Sequence, residues 1–165
     1  MTTATGALPL PAILFPSQPD SPKTVAPFAA LIQQIGARRL WMGQSLKAET
    51  HQVLAHLAGM GHSVPVGTSV TLMPLRHPYE AALQARSLAL ITGHAVVAGY
   101  GASAPGFVRS LTGAPYASPR SAARDYLTSV RSLLDGEIVE LPGPQLPPRP
   151  LAAARRADPV RQPDG

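Results

Sequence analysis

The sequence predicts an α/β fold: an incomplete (β/α)8 TIM barrel of about four parallel strand–helix units, followed by a disordered C-terminal tail. Three observations carry this. Short apolar runs alternate with longer stretches of helical apolar spacing, the pattern of a parallel sheet with crossover helices. Glycines stand where each predicted helix should stop. The regular pattern fails after Gly136, and 165 residues are short for a complete barrel, which typically needs about 250.

The first unit opens with the run Ala12-Ile13-Leu14-Phe15-Pro16. A Pro/Ser/Asp loop follows to Lys23. Val25, Phe28, Ala29, Ile32 and Ile35 then recur at helical spacing, and Gly36 suits the C-cap. Arg39 to Gly43 reads as the second strand. Leu46, Thr50, Val53, Leu54 and Leu57 make the second helical stripe, which Gly59 and Gly61 end. The third strand is placed within Val64 to Leu75, with Pro74 marking its end or a bulge. Pro78 suits the first turn of the third helix, whose apolar face is read as Tyr79, Ala82, Leu83 and Leu90.

Ala95 to Gly99 is apolar on both faces, as expected of a strand covered by helices. Tyr100 to Pro115 reads as a Gly/Ser/Pro loop. Ser118-Pro119 is a helix start, and Ala123, Tyr126, Leu127, Val130, Leu133 and Leu134 form the clearest helical stripe of the chain. Glu137 to Leu141 fits one more short strand. Residues 142–165 hold seven prolines and no periodic apolar stripe. The expected organisation is therefore a partial barrel domain over residues 1–144 and a Pro/Arg-rich tail over 145–165.

Composition excludes several chemistries. There are no cysteines, hence no disulfide, thiolate metal site or cysteine nucleophile. Met1 to Pro11 lacks lysine and arginine and makes a poor signal peptide, and no apolar run approaches a membrane span. A cytoplasmic protein without membrane contact is expected. The net charge is +5, but Arg149, Arg155, Arg156 and Arg161 sit in the tail without interleaved aromatics, so nucleic acid is not an expected partner.

Ligands of such folds bind at the carboxyl ends of the strands. The candidates there are Pro16, Ser17 and Gln18; Gln44 and Ser45, with Glu49, Thr50 and His51 nearby; Pro74, Arg76 and His77; and Gly99 to Ser103. Gly99-Tyr100-Gly101 lacks the third glycine and the immediate helix of a dinucleotide loop, and reads instead as a place where a flat ring approaches the backbone. His77 is either a hydrogen-bond donor and acid or the cap of the helix at Pro78. His51 and His56 read as solvated or helix-packing residues, because no ligand spacing surrounds them. Ser45 lacks the context of a nucleophile.

The same residues carry a family resemblance. Leu40-Trp41-Met42-Gly43-Gln44-Ser45 resembles the second strand of luciferase-like monooxygenases. Val70 to Pro78, with Arg76-His77-Pro78 at its end and Ala82, Ser87, Leu88 and Gly93 beyond, resembles that family's third strand and helix. Gly99-Tyr100-Gly101, Arg109, Gly113 and Leu133 to Glu137 continue the match, which covers roughly residues 12 to 144. The resemblance implies an oxidoreductase or monooxygenase that uses the deazaflavin F420 or FMN on a small organic substrate. His77 is then the catalytic candidate, and Gln44, Ser45, Leu72, Met73, Pro74, Gly99, Tyr100 and Gly101 are the cofactor-binding ones. It further implies a third-strand bulge with a non-proline cis peptide at about Leu72, Met73 and Pro74. It also implies that the phosphate ligands belong to the second half of the barrel. Gln145 to Pro148 still resembles the family; the expectation for Arg149 to Gly165 is a frameshift or early-stop product. The alternative expectation is a non-catalytic half-barrel, an interaction or dimerisation module that pairs as a homodimer through its open sheet edges.

Overall fold

The structure is a computed structural model that describes residues 11–139. Four strands, β1 (Ala12–Leu14), β2 (Arg39–Met42), β3 (Val66–Leu72) and β4 (Val97–Gly101), pair in that order, every pair parallel. Helices α1 (Pro22–Ile35), α2 (Thr50–Gly59) and α3 (Pro78–Thr92) cross over between them, and α4 (Pro105–Thr112) and α5 (Pro119–Leu134) follow β4. This is the first half of a (β/α)8 barrel. The expected Glu137–Leu141 strand and the tail run into positions outside the described residues.

The helices start and stop for local reasons. Ser21 and Ser118 cap α1 and α5 by accepting the Lys23 and Ser121 amides, with proline at each helix start. Gly36 and Gly93 close α1 and α3 in the left-handed conformation. The core lies between sheet and helices, where Leu40, Met42 and Val66 meet Val25, Ile32, Leu54, Leu57 and Leu88. Register then assigns the other face. Leu14 pairs with Trp41, Trp41 with Gly67 and Gly67 with Val97, so these residues share the concave side opposite the helices.

Several boundaries differ from expectation. Leu46 is an exposed loop residue, because the Glu49 side chain caps α2 from the Gln52 amide and the helix begins only at Thr50. β3 stops at Leu72, and Pro74 falls in a 3₁₀ turn, Met73–Leu75. α3 buries Ala81, Ala82, Ala85 and Leu88, whereas Tyr79, Leu83 and Leu90 face out; the small residues let α2 and α5 both approach. The Tyr100–Pro115 loop contains α4. Its signals were Pro105 at the start, Val108 and Leu111 one turn apart and Gly113 at the end, partly hidden by Gly106 inside it.

The largest correction concerns β3 and β4. The non-proline cis peptide is Ser69–Val70, not the Leu72–Pro74 stretch, and the β3–β4 register shifts between Thr68 and Thr71. One extra residue of β3 thus bulges against β4. β4 runs through Gly99 to Gly101 rather than ending at Gly99, because its glycines are where the bulge fits. A Cβ on Gly99 would collide with the Thr68 carbonyl oxygen, and one on Gly101 would lie 2.7 Å from Val70 Cγ2.

Gly99→Ala should therefore destabilise the fold by about 1–3 kcal/mol or more. Gly106→Ala, with open space around it, should be neutral or stabilise by up to about 1 kcal/mol. Urea unfolding of the two variants checks the contrast.

Candidate functional site

The bulge sets the geometry of the strand ends. Thr68 and Thr71 are fully buried, and their hydroxyls donate to the Gly99 carbonyl at 3.0 and 3.3 Å. The Gly99 N–H returns a bond to the Thr68 hydroxyl at 2.9 Å. These bonds replace ladder partners that the bulge displaces. On the β2 side, the Gln44 N–H donates to the Val70 carbonyl at 2.9 Å. Val70 is left 40% exposed on the concave face, over two glycines that offer no side chain. The result is an apolar shelf at the carboxyl ends of β3 and β4.

Around this shelf the site candidates fall into distinct places. Leu72 pairs with Gly101 and ends β3 on the same face as the shelf. Met73 is buried beneath the 3₁₀ turn. Pro74 and His77 line a cavity of about 570 Å³ together with Tyr116 and Tyr126. Gln44 and Ser45 line a neighbouring cavity of about 490 Å³, and the two cavities meet at Leu75 and Arg76. Gly99 and Gly101 lie within β4 against Val70, so the space that the sequence reading left for a ring beside their Cα atoms is filled by the bulge.

Three candidates have side chains bonded within the fold. The Tyr100 ring turns to the helix layer, where its hydroxyl donates to the Ala81 carbonyl at 3.2 Å and its ring meets Tyr126 edge-on at 5.3 Å. Strand alternation forces this once Gly99 and Gly101 face the shelf. Burial raises the pKa of both phenols, against the opposing charge of Arg76, so both stay protonated at neutral pH. The Ser45 hydroxyl is buried; it donates to the Pro19 carbonyl and accepts the Lys47 and Ala48 amides, which organises the loop after β2. His77 caps α3, with Nδ1 accepting the Tyr79 N–H at 3.3 Å and its ring stacked on Tyr79, while the residue stays exposed.

The feature that sequence reasoning missed is a polar cluster joining the β2 and β3 ends. The Arg76 side chain is 6% exposed. Its Nε donates to Gln84 Oε1 at 2.9 Å, Nη1 to Gln44 Oε1 at 2.9 Å, and Nη2 to Glu49 Oε1. Glu49 also accepts from the Gln52 N–H at 2.8 Å and binds His51 Nδ1 at 3.0 Å. Burial opposes ionisation of Glu49, but the bonds from His51, the Gln52 amide and Arg76 together outweigh it and lower its pKa to about 2. Glu49, His51 and Arg76 each appear among the strand-end candidates, yet only the fold shows that they meet. The one sequence signal was charge of opposite sign after consecutive strands. His51 is packed rather than solvated. Among the described residues no group of three or more His, Asp or Glu could hold a metal, and no helix is long and apolar enough to cross a membrane.

Comparison with known proteins bears on this arrangement. The family model for luciferase-like monooxygenases matches residues 5–163. The coenzyme F420-dependent tetrahydromethanopterin reductase of Methanopyrus kandleri superposes with a TM-score of 0.68 at 21% identity, covering 83% of this chain and 43% of that one. The monooxygenase RslO1 of Streptomyces bottropensis superposes with a TM-score of 0.59 at 17% identity, covering 68% and 36% respectively. The chain thus spans less than half the length of either structure. No curated protein matches.

Glu49 has a folded pKa of about 2 against an ordinary 4.5, so its contribution is fully present above pH 4.5 and is lost as pH falls through 2. That contribution is at most on the order of 3 kcal/mol. The stability gap between the protein and its Glu49→Gln variant should be flat above pH 4.5 and shrink between pH 4.5 and 2. Chemical unfolding across this range measures it; a constant gap would contradict the assignment.

Proposed function

The chain belongs to the luciferase-like monooxygenase family, and from that premise we propose that it forms the ring-receiving part of an F420- or FMN-dependent oxidoreductase acting on a small organic substrate. The observation that carries this reading is the shelf made by Val70 over Gly99 and Gly101. A flat tricyclic ring needs a level apolar surface with polar groups only at its margin. The shelf has that character, with Leu72 continuing it and Gln44 bonded to the Val70 carbonyl at its edge. These residues therefore fit the ring portion of either cofactor. Arg76, held by three acceptors, is not offered to a phosphate.

When bound, the reduced cofactor supplies the hydride transfer or the oxygen chemistry. This chain's residues do the rest. Val70, packed over Gly99 and Gly101, and Leu72 would hold one ring face and keep water from it. Met73 and Pro74 support the turn that closes the end of β3. Gln44 and the backbone of Ser45 border the ring edge. His77, exposed at the start of α3, would be the group that donates to a cofactor or substrate oxygen.

A second reading, a non-catalytic half-barrel that associates with a second copy, has one observation in its favour. Among the described residues β1 and β4 each keep one unpaired edge, and Leu14, Val70 and Val97 on the concave face are 58%, 40% and 43% exposed. Unpaired edges and an apolar face are what another chain would cover.

Titration with FMN and with F420, alongside mass by light scattering, separates the readings. Saturable binding that Val70→Asp weakens at least about tenfold, by placing a charge under the ring, with an unchanged circular dichroism spectrum, supports the first. Dimers that bind neither cofactor support the second. A stable monomer that binds neither contradicts both.

A further inference from the structure

Arg76 is a charged residue just after the 3₁₀ turn that follows β3, where long cations ordinarily reach for water. Here its head is drawn inward and bonded to three different parts of the fold: Gln84 on α3, Gln44 after β2 and the α2 cap Glu49. The acceptors are themselves fixed. The Gln84 amide nitrogen donates to Glu80 at 3.1 Å, the Gln44 amide nitrogen donates to the Ser45 carbonyl at 2.6 Å, and Glu49 is bound by Gln52 and His51. A planar guanidinium reads such a set in one orientation only, which an ammonium cannot do.

Gln44 is the informative member. Its side chain takes the Arg76 Nη1 bond, while its backbone N–H donates to the Val70 carbonyl. Val70 is the residue that follows the cis peptide and forms the shelf. Two hydrogen bonds therefore connect the guanidinium to the shelf, through one residue.

We propose that Arg76 is a positioning residue for the ring-receiving bulge: by fixing the Gln44 side chain it fixes the amide that holds the Val70 carbonyl, and so sets the height and tilt of the shelf. Its functional meaning rests on the ring-binding reading above, but the linkage itself is a property of the free chain. Met73 and Leu75 connect Arg76 to the end of β3 covalently; the bonds through Gln44 hold the opposite side of the bulge, so the shelf is gripped from both flanks.

Amide hydrogen exchange on the whole chain tests the linkage without any cofactor. In Arg76→Met the Gln44 amide should exchange about tenfold faster or more relative to wild type. The Phe15 and Leu40 amides, bonded to the Trp41 and Pro65 carbonyls elsewhere in the sheet, should change by less than about twofold. A Gln44 amide that stays protected, or three amides accelerated alike, would overturn the proposal; the second result would mean general loss of stability. Arg76→Lys keeps the charge beside Glu49 and loses the fork, so it should show a smaller acceleration confined to Gln44, and it decides the matter if the methionine variant does not fold. If wild type binds FMN, Arg76→Lys should bind it more weakly and shift the visible band of the bound ring; unchanged affinity and spectrum would count against a positioning role. If wild type binds neither FMN nor F420, the ring-binding reading fails, and the exchange result still decides the linkage.

Discussion

One extra residue in β3 is the constraint on which the rest of the structure depends. Between Thr68 and Thr71 the strand advances one position more than β4 does, so backbone must bulge where a ladder would otherwise run. A bulge in the middle of a four-stranded sheet leaves polar groups to satisfy and pushes atoms toward both neighbours. The Thr68 and Thr71 hydroxyls satisfy the groups on Gly99. Absent side chains provide the space: Gly99 and Gly101 on one side, and Gly43, whose Cβ would sit 3.2 Å from the Ser69 carbonyl oxygen, on the other. Three strands are thus shaped by one local event in the third.

The polar cluster solves the companion problem. The bulge ends near the surface of the barrel mouth, where loops are otherwise free to move. Arg76 and Glu49 tie the loops after β2 and β3 to each other, to the start of α2 and to Gln84 in the middle of α3. A buried ion pair of this kind is weak evidence for stability, because desolvation offsets much of its attraction. Its better-supported role is geometric: with each partner further bonded, the two loops have one mutual arrangement. A surface that is to receive a rigid planar group gains from being set before the group arrives.

Much of this was legible in the residues and some was not. The order of four strand–helix units follows from apolar runs, capping serines and terminal glycines, which act locally and so leave local traces. Arg76-His77-Pro78 and Gly99-Tyr100-Gly101 sufficed to indicate the family. The reading went astray where a residue's reason lay in another strand. Glycine in a strand weakens it unless something must come close, so the sequence alone suggests a β4 that ends at Gly99, whereas the strand runs to Gly101 and Val70 packs over its glycines. Tyr100 looked like a wall residue until the glycines fixed which way it points. Ser45, a cofactor-binding candidate by resemblance, has its hydroxyl bonded within the loop after β2. The cis peptide was placed by resemblance near Pro74, and the structure puts it earlier because the register with β4 slips there. Arg76 is far in sequence from Glu49 and His51, and nothing short of the parallel β2–β3 pairing brings it to them.

In the proposed function the bulged shelf at the ends of β3 and β4 receives the redox ring. Backbone amide shift mapping during FMN and F420 titration tests it most directly. The largest shifts should fall at Ser69 to Leu72 and Gly99 to Gly101, with smaller ones at Gln44. Shifts centred instead on the groove of about 620 Å³ that Leu127, Val130 and Leu134 line between α3, β4 and α5, or no shifts at all with either cofactor, would contradict it.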